Sequence, residues 1–475
     1  MRNYAAVWLV VLAAALTAGA GCATNMAKVA VPEPPAAAVG HDVDIQAMIE
    51  RAKTKVFPTL VYVKPIQEDY SEGKKRRVVL GGSGIIISPD GYVVTNNHVA
   101  EKAVEIHCVL FDDTMVEATV IGTDKDTDLA LLKLKVDPKI KFACATLADS
   151  DKVEEGQFAM ALGAPWGLKR SISLGVVSCS QRFLEGESEY SLWLQTDAHI
   201  NPGNSGGPLV DTNGEVIGID TLGVWNASMG FSIPSNTVRY VIGELRAHKE
   251  VRRSWTGVRL QPLRDFDRDS FFEGERGVLV ASVDPGSPAE QAGLEVGDLI
   301  LTVSGTAVDG LYNENLPKIR SILGRLPLNQ PTEFQLQRGG RPVTVSLTPR
   351  EKGVVEGQDL DLKRWNMTVK AINEYNDPEM YYYVKEGVYV QGVQYPGNAQ
   401  QCGFQGGDII LRVEATEVKS LKDIKEVYEA LLKDVGRKKR VPVEVLRGGM
   451  PMLLVLDYAR DYDQSPEGKT APGKE

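Results

Sequence analysis

The feature that most constrains this 475-residue chain is an internal repeat in its carboxy-terminal half. The run Pro285-Gly286-Ser287-Pro288-Ala289 through Gly293-Leu294-Glu295-Val296-Gly297-Asp298-Leu299-Ile300-Leu301 returns 110 residues later, with one deletion, as Pro396-Gly397-Asn398-Ala399 through Gly403-Phe404-Gln405-Gly406-Gly407-Asp408-Ile409-Ile410-Leu411. Each copy follows a strand-like segment, Gly277 to Val283 and Gly387 to Val393, and leads into another strand, so two related small units stand side by side. Before them, Val56 to about Ile233 alternates short Val- and Ile-rich runs with Gly, Asp and Pro, the pattern of an all-β barrel or sandwich. At about 150 residues per domain the length agrees with three such units. An apolar content of 43% and a charged content of 24% describe ordinary globular domains. The net charge of -10 speaks against nucleic acid as a partner.

Two helices are expected to flank the β-rich unit. Val43 to Lys55 places Ile45, Met48, Ile49 and Ala52 near helical spacing, and Ser235 to His248 places Val238, Val241, Ile242 and Leu245 on one face. The basic run from His248 to Arg253 then reads as a solvated linker.

The amino terminus reads as an export signal over residues 1–21. Arg2 supplies the positive charge and Ala5 to Leu16 the apolar stretch, too short to span about 30 Å of hydrocarbon. Small residues from Thr17 to Gly21 give a peptidase access to the backbone. Cys22 follows directly, as in a bacterial lipobox, although Gly19 stands where Leu is usual; ordinary cleavage after Ala18-Gly19-Ala20 is the alternative. Residues 22–42, with Pro32, Pro34 and Pro35, read as a flexible stalk behind a lipidated Cys22. Cys108, Cys144, Cys179 and Cys402 are widely spaced, without a zinc signature, and default to buried free thiols.

The chemistry lies in the β-rich unit. Asn201-Pro202-Gly203-Asn204-Ser205-Gly206-Gly207-Pro208 sets a Ser inside a Gly-flanked turn, where backbone N–H groups of Gly203 and Ser205 can point at a developing oxyanion. Alone, such a run is equally good surface-turn composition. A serine nucleophile needs a base, and there are five histidines, His41, His98, His107, His199 and His248. His98 ends the apolar run Val93-Val94-Thr95-Asn96-Asn97, where a barrel can present it to a cleft. His199 sits close to Ser205 in sequence and suits a pocket wall better than a base. Among Asp124, Asp126 and Asp128, the last immediately precedes the apolar strand Leu129-Ala130-Leu131-Leu132 and is the candidate to orient His98; the other two read as turn residues. The order His98, Asp128, Ser205 is that of chymotrypsin rather than of subtilisins or α/β-hydrolases.

Thr95-Asn96-Asn97-His98-Val99, Thr127-Asp128-Leu129-Ala130 and Asp197-Ala198 through Ser205-Gly206-Gly207-Pro208, followed by two repeats similar to PDZ domains, together resemble the HtrA (DegP/DegQ/DegS) family of envelope serine proteases over roughly residues 45 to 460. The resemblance implies an all-β chymotrypsin-like double β-barrel protease domain over 43–250, followed by two α+β PDZ domains over 254–350 and 354–460, with a disordered tail over 461–475. It implies His98 as general base, Asp128 as its partner, Ser205 as nucleophile, and Gly203 and Ser205 amides as the oxyanion hole, with no cofactor and no metal. Ile200 falls where the family lines its specificity pocket, which favours small or medium aliphatic side chains; His199 beside it replaces a usually small residue. Arg182 to Leu192 and Thr221 to Met229 correspond to loops such proteases order on activation.

Trp255-Thr256-Gly257-Val258 is similar to the carboxylate-holding loop of PDZ domains. Trp365-Asn366-Met367-Thr368 is the weaker second copy, with Asn366 in place of the usual Gly. The implied activity is ATP-independent endopeptidase cleavage of misfolded or unfolded proteins in the bacterial cell envelope, on the periplasmic side, by a lipoprotein anchored through Cys22. Hydrophobic carboxy-terminal peptides would bind the PDZ units, and homotrimers or higher oligomers are implied. The alternative is a non-catalytic chaperone or scaffold for unfolded clients.

Overall fold

The computed structural model describes residues 44–79, 81–164, 170–224, 227–265, 270–272, 274–353, 358–373, 377–436 and 439–462. The export signal, Cys22 and the stalk lie outside the described residues, as does the tail beyond Tyr462. Helix α1 spans Ile45–Val56, matching the expected lead-in helix, and buries Ala52 and Val56.

The β-rich unit forms two barrels. Strands β1 (Leu60–Asp69), β2 (Arg76–Val79), β3 (Gly82–Ile86), β4 (Tyr92–Thr95), β5 (Ala103–Val109), β6 (Met115–Asp124) and β7 (Leu129–Leu134) run in the order β2-β1-β3-β4-β7-β6-β5. Pairing of β1 with β5 closes the ring, and β2 extends β1 as a hairpin. Strands β8 (Phe158–Gly163), β9 (Ser171–Arg182), β10 (Trp193–Thr196), β11 (Pro208–Val210), β12 (Val216–Gly223) and β13 (Gly230–Pro234) close the second barrel in the order β10-β13-β12-β11-β8-β9.

Strand periodicity explains the unbroken apolar runs. On β7, Ala130 and Leu132 point into the first barrel with Val63, Ile86 and Ile106, while Leu129 and Leu131 point into the seam between the barrels. On β8, Ala159 and Ala161 fill the second barrel, and Met160 and Leu162 reach the same seam. Strands buried on both faces have no polar alternation to keep. Helix α2 (Ser235–His248) covers the seam with Val238, Val241 and Leu245, the face expected from its spacing.

Two α+β units follow, each with its own core. In the first, Val258–Gln261 pairs with Val278–Val283, and a sheet continues through Leu299–Val303, Thr332–Arg338 and Arg341–Leu347, with the helix Leu316–Leu323 packed on it. In the second, Met367–Ala371, Val388–Val393, Ile409–Val413, Arg440–Arg447 and Met450–Asp457 repeat the order, with the helix Leu421–Lys433. The repeated aspartates do the same work in both. Asp298 is 1% exposed and takes two bonds of 2.7 Å from Arg338, whose guanidinium also reaches the Gly293 carbonyl. Asp408, fully buried, takes bonds of 2.6 and 2.7 Å from Arg447, which likewise reaches the Gly403 carbonyl.

Four expectations need correction. The run ending at Arg253 is no solvated linker: the Arg253 side chain is 8% exposed and forks onto the Asp124 carboxylate at 2.6 and 2.7 Å. Asp126 receives Lys352 at 2.9 Å, and the Tyr190 ring lies against both cations. Asp124 and Asp126 are therefore more than turn residues, since they fasten both ends of the first α+β unit to the turn before Asp128. The packed chain also runs past residue 461, because Asp461 pairs with Arg364 at 2.6 Å and Tyr462 is buried. The four described cysteines are free thiols, but the expectation that all are buried holds only for Cys108: Cys144 is exposed, and Cys179 and Cys402 are half-buried. Burial pushes the Cys108 thiol up to about 12.

Candidate active site

Each sequence-selected group is set by a chain reversal at a strand end. His98 lies on the single turn Asn97–Ala100 that begins two residues after β4. Asp128 ends a short turn over Lys125–Thr127 in the left-handed conformation, φ 53°, which Asp tolerates better than most side chains. That bend turns its carboxylate back on the histidine: one oxygen accepts the His98 backbone N–H at 2.9 Å, and the other meets ring Nδ1 at 2.8 Å. The Asp128 carbonyl accepts the Asn97 N–H and the Asn96 side-chain amide, both at 3.0 Å, which locks the two segments together.

Electrostatics follow from this contact. Partial desolvation of the imidazole, whose side chain stays 45% exposed, opposes protonation, but the hydrogen bond and charge of Asp128, with Glu101 adding, outweigh it, so the His98 pKa lies above its ordinary value. Gln67, buried on β1, donates to the His98 and Val99 carbonyls at 3.0 and 2.9 Å and fixes the backbone beneath the ring.

Ser205 follows a tight turn in which Gly203 has φ 98°, a conformation without strain only for glycine. Among the described residues, the N–H groups of Gly203 and Ser205 have no intramolecular partner, whereas Asn204, Gly206 and Gly207 donate to backbone carbonyls. The Ser205 hydroxyl donates to the Thr221 carbonyl at 3.1 Å and makes no bond to His98. The structure thus brings His98 and Asp128 into contact and places the serine turn beside them: Asn96, two residues before His98, donates to the Thr221 hydroxyl at 2.8 Å.

Sequence reasoning missed the residue that holds this turn. Ser83, fully buried on β3, donates its N–H to the Ser205 carbonyl at 2.8 Å and its hydroxyl to the Gly203 carbonyl at 2.7 Å. Its own carbonyl takes the Thr95 hydroxyl at 2.7 Å, so one residue joins both barrels at the turn. The signal was the small-residue run Gly81-Gly82-Ser83-Gly84, whose single hydroxyl has no room to face solvent.

His199 is exposed, with its N–H on the Ser173 hydroxyl at 2.9 Å. Ile200 is half-buried and abuts Gly223 and Gly230, where added Cβ atoms would stand 2.2 Å from its carbonyl and 2.6 Å from its Cδ1. Strands β12 and β13 are thus bare where they pass Ile200. Among the other predicted residues, Thr256 is buried and Gly257 takes φ 77°, its carbonyl accepting the Asp284 N–H at 2.8 Å.

A buried carboxyl also lies behind the serine. Asp220 exchanges backbone bonds of 2.8 Å with Gly206 and Gly207, and its fully buried side chain has one partner, the Ser232 hydroxyl at 2.7 Å. Burial pushes this carboxyl up to about 8 against the pull of Ser232. A raised acid stabilises the fold below the ordinary Asp range and loses that contribution as pH rises through the folded value. Asp220→Asn is therefore expected to match the wild-type Tm near pH 4 and to exceed it increasingly up to pH 8, by at most about 1.4 kcal/mol per pH unit. Thermal melts across pH 4–9 check this, and a gap that does not change with pH would rule it out.

Comparison with known proteins agrees with the geometry. The trypsin-like peptidase domain family matches residues 82–219 and the PDZ domain family matches 279–338. A DegP-like periplasmic serine endoprotease of Marinomonas sp. (strain MWYL1) is 36% identical over 385 residues, 78% of each chain. Its counterpart in Halomonas elongata is 34% identical over 391 residues, covering 80% of this chain and 79% of that one. Among solved structures, the HtrA-type protease AlgW with a tripeptide aligns at TM-score 0.56 and 30% identity, over 64% of this chain and 97% of that one. Two closed six-stranded barrels, a His–Asp contact beside a glycine-framed serine turn, and this similarity over most of its length make the chain a member of the HtrA (DegP-like) family of PDZ-containing serine endoproteases.

Proposed function

We propose that His98 is the general base, Asp128 its orienting partner and Ser205 the nucleophile, with the Gly203 and Ser205 amides as the oxyanion hole. The observation that carries this reading is the Asp128 carboxylate bridging the His98 backbone and ring, which leaves Nε2 free to accept a proton. In the resting arrangement the Ser205 hydroxyl faces Thr221, so its side chain must rotate before His98 can take the proton. Attack of Oγ on a peptide carbonyl then breaks its double bond and places the negative charge on the oxygen. The two unpartnered amides receive that charge; as the carbonyl re-forms the C–N bond breaks, and protonated His98 gives its proton to the leaving amine. Water, giving its proton to His98, then attacks the acyl-enzyme, and His98 returns that proton to Ser205 as the acid product leaves.

The reading extends to substrate and place. Ile200 between two bare strands supports an apolar specificity pocket for small or medium aliphatic side chains, with His199 at its rim. The protease domain spans 43–250, and the two α+β units are PDZ domains over 254–350 and 354–460. The substrates are unfolded or misfolded periplasmic proteins, which supply both an extended strand and apolar side chains. Thr256, Gly257 and Val258 of the first PDZ unit hold hydrophobic carboxy-terminal peptides. The sequence supports anchoring through a lipidated Cys22, and the family resemblance supports a homotrimer.

The test is β-casein digestion by the detergent-solubilised full chain, with and without a peptide ending in an aliphatic residue and a free carboxylate. Cleavage stimulated by the peptide is expected. Binding of casein without cleavage under either condition would overturn the enzyme reading in favour of a holding chaperone.

A further inference from the structure

We propose that the second PDZ unit is closed to chain ends by its own strand Asp359–Leu362, so that the chain offers a single peptide site, on the first unit. The inference rests on the reading that these units take extended chain ends, and it names which of them does.

A PDZ ligand adds as a strand to a sheet edge next to the carboxylate loop. In the first unit that edge is available: among the described residues Val258–Gln261 ends the sheet and pairs with Val278–Val283 alone. In the second unit the corresponding strand, Met367–Ala371, is covered on its outer side. Asp359–Leu362 pairs with it antiparallel, Leu362 opposite Met367 and Asp359 opposite Lys370, and the Ala371 N–H donates to the Gln358 carbonyl at 3.0 Å. Leu362 is fully buried in the core of the unit, Leu360 packs against that core, and the helix Leu421–Lys433 lies against both strands. The segment therefore fills the place between helix and sheet that an extended ligand would take. At the loop itself, the Arg364 N–H is already bound to the Tyr428 hydroxyl at 2.9 Å.

The sequence had pointed to a different reason. Asn366 was the suspect residue, yet it takes φ 54°, and its carbonyl accepts the Gln394 N–H at 2.9 Å as that of Gly257 accepts the Asp284 N–H. The loop keeps its shape, and the obstruction is the strand before it.

The protease domain braces this strand. Lys102, four residues after His98, reaches Asp359 at 3.1 Å, and the Lys75 N–H donates to Asp361 at 3.1 Å from the tip of the β1–β2 hairpin. The same tip accepts the Thr368 hydroxyl at the Tyr70 carbonyl, 2.5 Å. A strand tethered within the chain competes at an effective concentration in the millimolar range, which an external peptide of about micromolar affinity does not displace at working concentrations.

Hydrogen exchange of the full chain, read at single-residue resolution, decides the matter. Without peptide, the outward amides of Val369 and Ala371 are expected to exchange roughly tenfold or more slower than the outward amides of Val258–Gln261. With a saturating peptide ending in Val and a free carboxylate, protection should rise on Val258–Gln261 alone, and calorimetry should give one equivalent per chain. Fast exchange at Val369 and Ala371 without peptide, protection gained there on adding it, or two equivalents would each overturn the proposal. Slow exchange at Val369 and Ala371 with no peptide bound anywhere would uphold the closed second unit and instead refute the peptide-binding reading of the first.

Discussion

Ser205→Ala is expected to lower β-casein hydrolysis by about 10⁶-fold, the largest effect of any single change in this chain. In the proposed mechanism the hydroxyl is the atom that forms the covalent bond, so nothing else in the cleft can replace it. The fold should be unaffected, because the hydroxyl has one intramolecular bond, to the Thr221 carbonyl, and truncation leaves a single acceptor short. Casein binding and peptide binding should persist, which separates loss of chemistry from loss of structure. Residual cleavage above a few per cent of wild type would move the nucleophile elsewhere.

The second large effect is expected at Asp128. In Asp128→Asn the amide can donate where the carboxylate accepts, which turns the imidazole to the wrong tautomer and is expected to reduce kcat about 10⁴-fold with KM little changed. The pH profile supplies a readout that a merely structural role would not move. As the proposed general base His98 must be neutral, and its pKa is raised, so wild-type kcat/KM should climb through an ionisation above the ordinary histidine value of about 6.5. Without the charge and hydrogen bond of Asp128, that limb should shift to lower pH. A profile that keeps its midpoint in the variant would show that another group sets the ionisation.

Most of the fold could be read from local pattern. The two barrels follow from short strands whose runs are apolar on both faces, and Leu129-Ala130-Leu131-Leu132 shows why: two residues serve one barrel and two the seam. His98, Asp128 and Ser205 stand out in the sequence because each sits in a short motif whose chemistry calls for that residue type, and the structure joins the first two at 2.8 Å. What escaped was long-range. Ser83 lies over a hundred residues from the turn it clamps, and the small-residue run around it marks a tight place without saying what it meets there. Arg253 looked like part of a basic linker because its carboxylate partner is 129 residues away. The strand Asp359–Leu362 alternates charge and leucine, as an exposed strand would. Its acidic side chains meet Lys102 and the Lys75 amide only once the protease domain is folded against it.

The paired Asp298–Arg338 and Asp408–Arg447 contacts give the two α+β units the same weak point. Losing either arginine alone would leave a carboxylate that is 1% exposed or fully buried without its counter-charge, a defect of about 3–5 kcal/mol in a unit of this size. Each unit thus hinges on one guanidinium, which ties a sheet strand to the loop before its buried acid through the Gly293 or the Gly403 carbonyl.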